Sequence, residues 1–175
     1  TISFMEKVDD LGVDGMLVVT PYYNKATQNG LYEHYRQIAE HTKNQIILYN
    51  VPSRTGCNML PETVARIADS CPNVTGIKEA SGSISQVAKL ASLVGNRLDI
   101  YSGNDDQIVP VMSLGGSGVI SVLANLMPKN IHDITKDMLN GNYITARNAQ
   151  LAYDKLVEML FKEVNPIPVK AALHM

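Results

Sequence analysis

An α/β fold built on a parallel sheet, arranged as a (β/α)₈ barrel, is predicted by three features of the sequence. Short β-rich runs alternate with longer amphipathic stretches at intervals of roughly 20 to 30 residues, the spacing of βαβ units. No Gly-x-Gly-x-x-Gly loop follows the first strand, where a doubly wound sheet would usually carry one. Gly115-Gly116-Ser117-Gly118 precedes a strand instead of opening a helix. The residues that could do chemistry, Tyr22, Tyr23, Tyr49, Arg54, Lys78 and Gly103, fall at or just past strand C-termini, where a barrel keeps its site.

The elements follow in order. Ile2, Met5 and Val8 repeat at helical spacing until Leu11-Gly12. Met16–Thr20 reads as the first strand, stopped by Pro21. Leu31, Tyr35, Ile38, Ala39 and Thr42 mark one face of a helix, and Ile46–Tyr49 is the next strand, stopped at Pro52. Pro61 suits a first helical position, with Val64, Ile67 and Ala68 as the apolar stripe. Val74–Lys78 is the third strand. Ser83-x-x-Gln86 is a capping box that opens a helix along Ile84, Val87, Leu90, Ala91 and Val94. Leu98–Ser102 is the fourth strand, Ile108, Val109 and Met112 the next helical face, and Val119–Val122 the fifth strand. Helical stretches over 128–140 and 143–161 flank Gly141, and Asn165-Pro166 opens another.

The composition is that of an ordinary globular chain: 175 residues, 45% hydrophobic, net charge −2. This excludes a disordered segment or a collagen-like fibre. With 15 basic against 17 acidic residues and no basic run, no nucleic-acid partner is expected. The longest apolar runs, residues 15–19 and 119–124, fall far short of the ~18 that a membrane span requires. No signal-peptide pattern precedes Val8, and Cys57 and Cys71 form neither a metal spacing nor a disulfide framework, so a reducing, cytoplasmic compartment is expected.

Lys78 is the strongest chemical signal. Strand alternation puts Val74, Gly76 and Lys78 on one face and Thr75, Ile77 and Glu79 on the other. A lysine aimed into an apolar interior loses part of its preference for the ammonium form, and a neutral amine can attack a ketone to form a Schiff base. A solvated or ion-paired lysine fits the same pattern. Tyr49 shares the face of Ile47 and could relay protons, or simply fill the interior. Arg54 carries a planar fork suited to a carboxylate, although most loop arginines are solvated. Asp105 and Asp106, just before Ile108, suit helix N-capping. His34 and His41 lie near one helix face without a third ligand, His132 and His174 have no partners, and no metal site is expected.

Five segments together resemble one family. They are residues 20–25 (TPYYNK), 49–56 (YNVPSRTG), 76–80 (GIKEA), 118–122 (GVISV) and 165–170 (NPIPVK). In this order they are similar to the signature blocks of the dihydrodipicolinate synthases, end to end over the chain. The resemblance implies a (β/α)₈ barrel of the class I aldolase type, a lyase that condenses pyruvate with aspartate semialdehyde on the route to diaminopimelate and lysine. It implies no cofactor, since pyruvate is held as a Schiff base on Lys78. Tyr49 would be the proton relay, with Tyr23 reaching across a tight dimer to complete a neighbouring site. Arg54 would hold the aspartate semialdehyde carboxylate, and the backbone at Ile120 and Gly103 would line the pyruvate pocket. Tyr22 matches a residue at the inter-subunit site where lysine inhibits many members. The implied assembly is a tetramer of tight dimers.

The resemblance also implies missing parts. The family barrel begins with three further strand–helix units, and nothing here matches their Gly-Thr-Thr-Gly-Glu segment. The chain is therefore expected to supply strands 4 to 8 over residues 1–127, with the last barrel helices and the start of a helical tail over 128–175. Five strands cannot close an eight-stranded barrel, so a piece of a longer protein or an associating truncation is expected. Two other readings remain. One is a sibling such as N-acetylneuraminate lyase or a keto-deoxy sugar-acid aldolase, which Arg54 argues against. The other is a non-catalytic fragment that only associates with other chains.

Overall fold

The computed structural model describes residues 1–175. They fall into two compact units, Thr1–Ile100 and Tyr101–Met175. One five-stranded sheet carries the strands in the order β1 (Gly15–Val19), β2 (Gln45–Asn50), β3 (Val74–Glu79), β4 (Asp99–Ser102) and β5 (Gly118–Val119). The ladders β1/β2, β2/β3 and β4/β5 are parallel, as the alternation with helices requires.

In the first unit, α1 (Ile2–Asp9), α2 (Gln28–Glu40), α4 (Pro61–Ser70) and α5 (Ile84–Val94) separate the strands, with a one-turn helix α3 (Pro52–Thr55) after β2. The helix start expected at Ser83 is present, its hydroxyl accepting from the Gln86 N–H at 3.2 Å, and the Thr27 hydroxyl caps α2 in the same way, accepting from the Gly30 N–H at 3.1 Å. Pro61 occupies the first turn of α4, where its missing N–H costs nothing. Met16, Val18, Ile46, Leu48 and Ile77 are buried on one sheet face, and Leu31, Tyr35, Ile38, Val64, Ile67, Val87 and Leu90 are the buried stripes of the helices. Each fully buried Leu or Ile contributes about 1.5–3 kcal/mol. Tyr35, wholly buried, donates to the Val18 carbonyl at 3.0 Å, so its hydroxyl is satisfied; burial pushes its phenol well above the usual range.

The opposite face is more open, and register fixes what lies on it. Leu17, Ile47 and Gly76 form one cross-strand row, and Val19, Tyr49 and Lys78 the next. One expectation about this face needs correction. The β2/β3 register shifts between Ile46 and Ile47, so that Val74 pairs with Ile46 and Gly76 with Ile47. Thr75 is left over as a bulge. Val74 is consequently buried at 3% exposure on the helix-packed side, and not on the face of Lys78. Thr75 instead donates to Gln45 Oε1 at 3.2 Å. Simple alternation fails because a bulge advances the phase by one residue.

The second unit holds α6 (Ile108–Ser113), α7 (Pro128–Leu139), α8 (Tyr143–Ala152), α9 (Asp154–Leu160) and α10 (Ile167–His174). Its core is Ile108, Met112, Leu123, Ile131, Ile134, Met138, Ala146, Val157, Leu160 and Val169. The stretch expected as one helix over 143–161 is two, broken at Tyr153. There the Tyr153 N–H bonds the Gln150 carbonyl in a tight turn, and the Tyr153 hydroxyl accepts from Asn130 Nδ2 at 2.6 Å. The fifth strand is also shorter than expected, ending at Val119. The Ile120 N–H still reaches the Ser102 carbonyl at 2.9 Å, but beyond it the chain turns. No helix is long and apolar enough to cross a membrane.

Candidate active site

The site is built on the ends of β2 and β3. Tyr49 and Lys78 are register partners, so both side chains leave the sheet on the same face. The Lys78 Nζ lies 4.4 Å from the centroid of the Tyr49 ring, a cation–π distance. Both residues are half-buried. Burial raises the Tyr49 phenol above its usual range, and the positive charge of Arg54 opposes that rise. Arg54 lies in α3 instead of an open loop, and it is exposed. Amine, phenol and guanidinium are thus supplied by the strand-and-turn segment from Tyr49 to Arg54 and one position on β3.

Gly56 closes α3 in the left-handed region at φ 66°, where glycine is favoured. A Cβ at this position would come within 2.9 Å of Lys25 Cε. The β1 loop therefore presses its lysine onto the turn that carries Arg54. Tyr22 and Tyr23 lie in the same β1 loop. Tyr23 is 91% exposed and has φ 70°, a conformation that costs a non-glycine residue of order 1–3 kcal/mol. Tyr22 is 68% exposed. The Thr20 N–H donates to the Tyr49 carbonyl at 3.1 Å and extends the β1/β2 ladder beyond Val19.

Gly103 and Ile120 belong to the second unit. Gly103 directly follows β4, and Ile120 is held beside that strand's end by its bond to Ser102. Asp105, expected as a cap of the helix beginning at Ile108, serves another turn. Its carboxylate accepts from the Val122 and Leu123 N–H groups, each at 3.0 Å, and from the Ser121 hydroxyl. It caps the 3₁₀ turn Leu123–Asn125 and so fixes the segment immediately after Ile120. This capture also ends β5 early, because the N–H groups that would continue the ladder point at Asp105. A cleft of about 350 Å³ in this unit is lined by Asn104, Asp105, Asp106, Asp154, Val157, Glu158 and Phe161 and contains none of the expected site residues.

No group of three or more His, Cys, Asp or Glu side chains is arranged to hold a metal ion. His34 stacks edge-on against Tyr35 at 5.2 Å, and the His41 Nδ1 is 2.7 Å from the Gln37 carbonyl. Sequence reasoning passed over a buried polar cluster directly behind the site. Asn50 and Glu79, one residue beyond Tyr49 and Lys78, are 0% and 3% exposed and linked by Asn50 Nδ2 to Glu79 Oε2 at 3.0 Å. The available signal was two polar residues at positions whose strand phase faces the helices.

Fold and site define a parallel α/β protein of the (β/α)₈ barrel class, of which this chain supplies five strands, with a lysine and a tyrosine at adjacent strand ends. The Dihydrodipicolinate synthetase family model matches residues 1–175, and the chain belongs to that family. It is 54% identical over 173 residues to the 4-hydroxy-tetrahydrodipicolinate synthase of Clostridium tetani, covering 99% of this chain and 59% of that protein. The crystal structure of dihydrodipicolinate synthase from Thermotoga maritima superposes with a TM-score of 0.97 at 46% identity, over 99% of this chain and 60% of that one. The Acinetobacter baumannii enzyme complexed with pyruvate gives 0.95 at 42% identity, over 99% and 59%. The chain thus spans about three-fifths of the length of the relatives it matches.

Proposed function

We propose that the whole protein is a lyase that condenses pyruvate with L-aspartate 4-semialdehyde to 4-hydroxy-tetrahydrodipicolinate, on the route to diaminopimelate and lysine. The observation that carries this reading is the Lys78 amine 4.4 Å over the Tyr49 ring at paired strand ends, in a family whose A. baumannii member has been crystallised with pyruvate. The Lys78 amine adds to the pyruvate ketone and water leaves, giving an imine. Loss of a methyl proton gives an enamine, whose carbon bonds to the aldehyde carbon of the second substrate. That substrate's amino group then displaces Lys78 from the imine carbon, which closes the ring and restores the free amine. Tyr49 moves protons in the addition and dehydration steps.

Arg54 holds the carboxylate of aspartate semialdehyde, and the backbone at Gly103 and Ile120 lines the pyruvate pocket. Tyr23 serves a neighbouring subunit's relay, and its exposure and strained backbone suit a side chain held out for a partner. Tyr22 belongs to an inter-subunit lysine site. The reading includes a tight dimer and tetramer, a cytoplasmic location, and no cofactor beyond the covalent imine. It divides the chain into barrel strands over 1–127 and closing helices over 128–175. Family membership argues against a sibling lyase of sialic or keto-deoxy sugar acids.

The test is covalent. Pyruvate with borohydride should label one lysine of the full-length protein, and peptide mapping should find it at Lys78. A label on Lys25, Lys89 or Lys170 would overturn the assignment.

A further inference from the structure

The amine and the phenol sit in the second-to-last row of two paired strands, next to the point where those strands stop. Beyond Asn50 the chain enters α3, and beyond Glu79 it turns toward α5. Strand ends are where pairing opens most readily, yet imine chemistry needs its groups held to within about 0.5 Å. Something must hold this end closed.

The buried face directly behind the site supplies a candidate. Asn50 and Glu79 are register partners, one residue beyond Tyr49 and Lys78, so they point to the opposite side of the sheet. The orientation of the Asn50 amide is fixed, because its Oδ1 accepts from the Met59 N–H at 2.9 Å. Its Nδ2 therefore faces Glu79 Oε2 at 3.0 Å and Asn58 Oδ1 at 2.9 Å. Glu79 Oε1 accepts from the Ser81 N–H at 2.7 Å, and Gln86 Nε2 approaches Oε2 at 3.4 Å and Asn58 Oδ1 at 3.1 Å. Gln86 is the residue whose N–H the Ser83 hydroxyl caps, so the first turn of α5 is joined to the same cluster. A main-chain bond from the Ala80 N–H to the Asn50 carbonyl, at 2.9 Å, completes it.

We infer that the buried Asn50–Glu79 pair is the positioning device of this site, setting the spacing of the Lys78 amine and the Tyr49 phenol from behind the sheet. The inference rests on the lyase reading above. Neither residue touches substrate. Their bond ties the two strand ends at the one row between the reacting pair and the divergent turns.

The experiment uses the full-length protein and reads two quantities side by side: the rate of pyruvate-dependent borohydride trapping at Lys78, and the melting temperature. Glu79→Gln keeps the shape but sets an amide against the donors of Asn50 and Ser81. It should slow trapping by about tenfold to a hundredfold per folded molecule, the scale of a small misplacement, with the pyruvate concentration for half-maximal rate little changed. The double exchange Asn50→Asp/Glu79→Gln keeps acceptors for the Met59 and Ser81 N–H groups and reverses the direction of the bond between positions 50 and 79, with the mutually bonded Asn58 and Gln86 amides flipping together to match. It should restore trapping to within about threefold of the parent. Should E79Q not fold, the double exchange alone decides: parental trapping supports the pair, and slow trapping in a folded protein overturns it. A folded E79Q with an unchanged trapping rate and only a lower melting temperature overturns the positioning role and leaves the lyase reading intact. Absence of any label in the parent protein overturns both.

Discussion

Tyr49 shows how a single side chain can report on its site. Its phenol is raised by burial, and the Arg54 charge pulls it back. Removing that charge in Arg54→Gln should move the Tyr49 ionisation further up, which ring-labelled tyrosine resonances, assigned with Tyr49→Phe, can follow across alkaline pH. An unchanged or lowered ionisation would show that the guanidinium does not act on the phenol. The sign for stability follows. A folded-state value above the unfolded one means the folded protein holds the proton more tightly. That contribution is complete below about pH 10 and is lost as pH rises through the folded value. At this scale the sequence was informative about identity and poor about surroundings. Lys78, Tyr49 and Arg54 were legible as an amine, a phenol and a fork near strand ends. Asn50 and Glu79 offered only their strand phase, which places two polar residues on the helix-packed side without telling that they pair with each other.

Between strands and turns, the sequence errs wherever a side chain captures backbone that periodicity assigns elsewhere. Val119–Val122 has the composition of a strand, but Asp105 takes the Val122 and Leu123 N–H groups and converts its second half into a turn. Asp105→Ala should leave these buried donors without their acceptor. A loss of about 1–3 kcal/mol is expected, read as a lower melting temperature by circular dichroism; a change below ~0.5 kcal/mol would mean that water replaces the carboxylate at no cost. The α8/α9 break has a different origin, since residues 143–161 keep a helical pattern on both sides of Tyr153 while backbone hydrogen bonds there tighten the turn. The capping box of α5 was legible in half. Ser83 caps as its motif predicts, but the Gln86 side chain turns to Asn58 and Glu79 outside the helix.

For the chain as a whole, alternation of short strands with amphipathic helices was enough to give a parallel sheet in sequential order, because both faces of such a sheet impose a periodicity that each segment carries by itself. The open face was not legible in the same way. Leu17, at 45% exposure, stands in the row beside Ile47 and Gly76, an apolar side chain on an open surface. A polypeptide of these 175 residues made alone should therefore self-associate through uncovered strand edge and face. It should also have little condensation activity, because water at the Lys78 face favours the ammonium form. Sedimentation and an assay beside a full-length relative test both. A monomeric polypeptide with turnover within about tenfold of that relative would contradict this account.

The unmatched Thr75 has a consequence for how such a gene can change length. In a strand, odd and even counts carry the meaning, and one residue gained or lost inverts every side chain beyond it. At Thr75 that arithmetic is suspended. Dropping the residue would set Val74 next to Gly76, each still on its present face, with Lys78 still beside Tyr49. Two positions downstream there is no such slack: a residue added between Ile77 and Lys78 would take the place beside the phenol itself and turn the amine toward the helices. Within six residues, β3 thus combines a site where descendants can shorten freely and one where any insertion ends the chemistry.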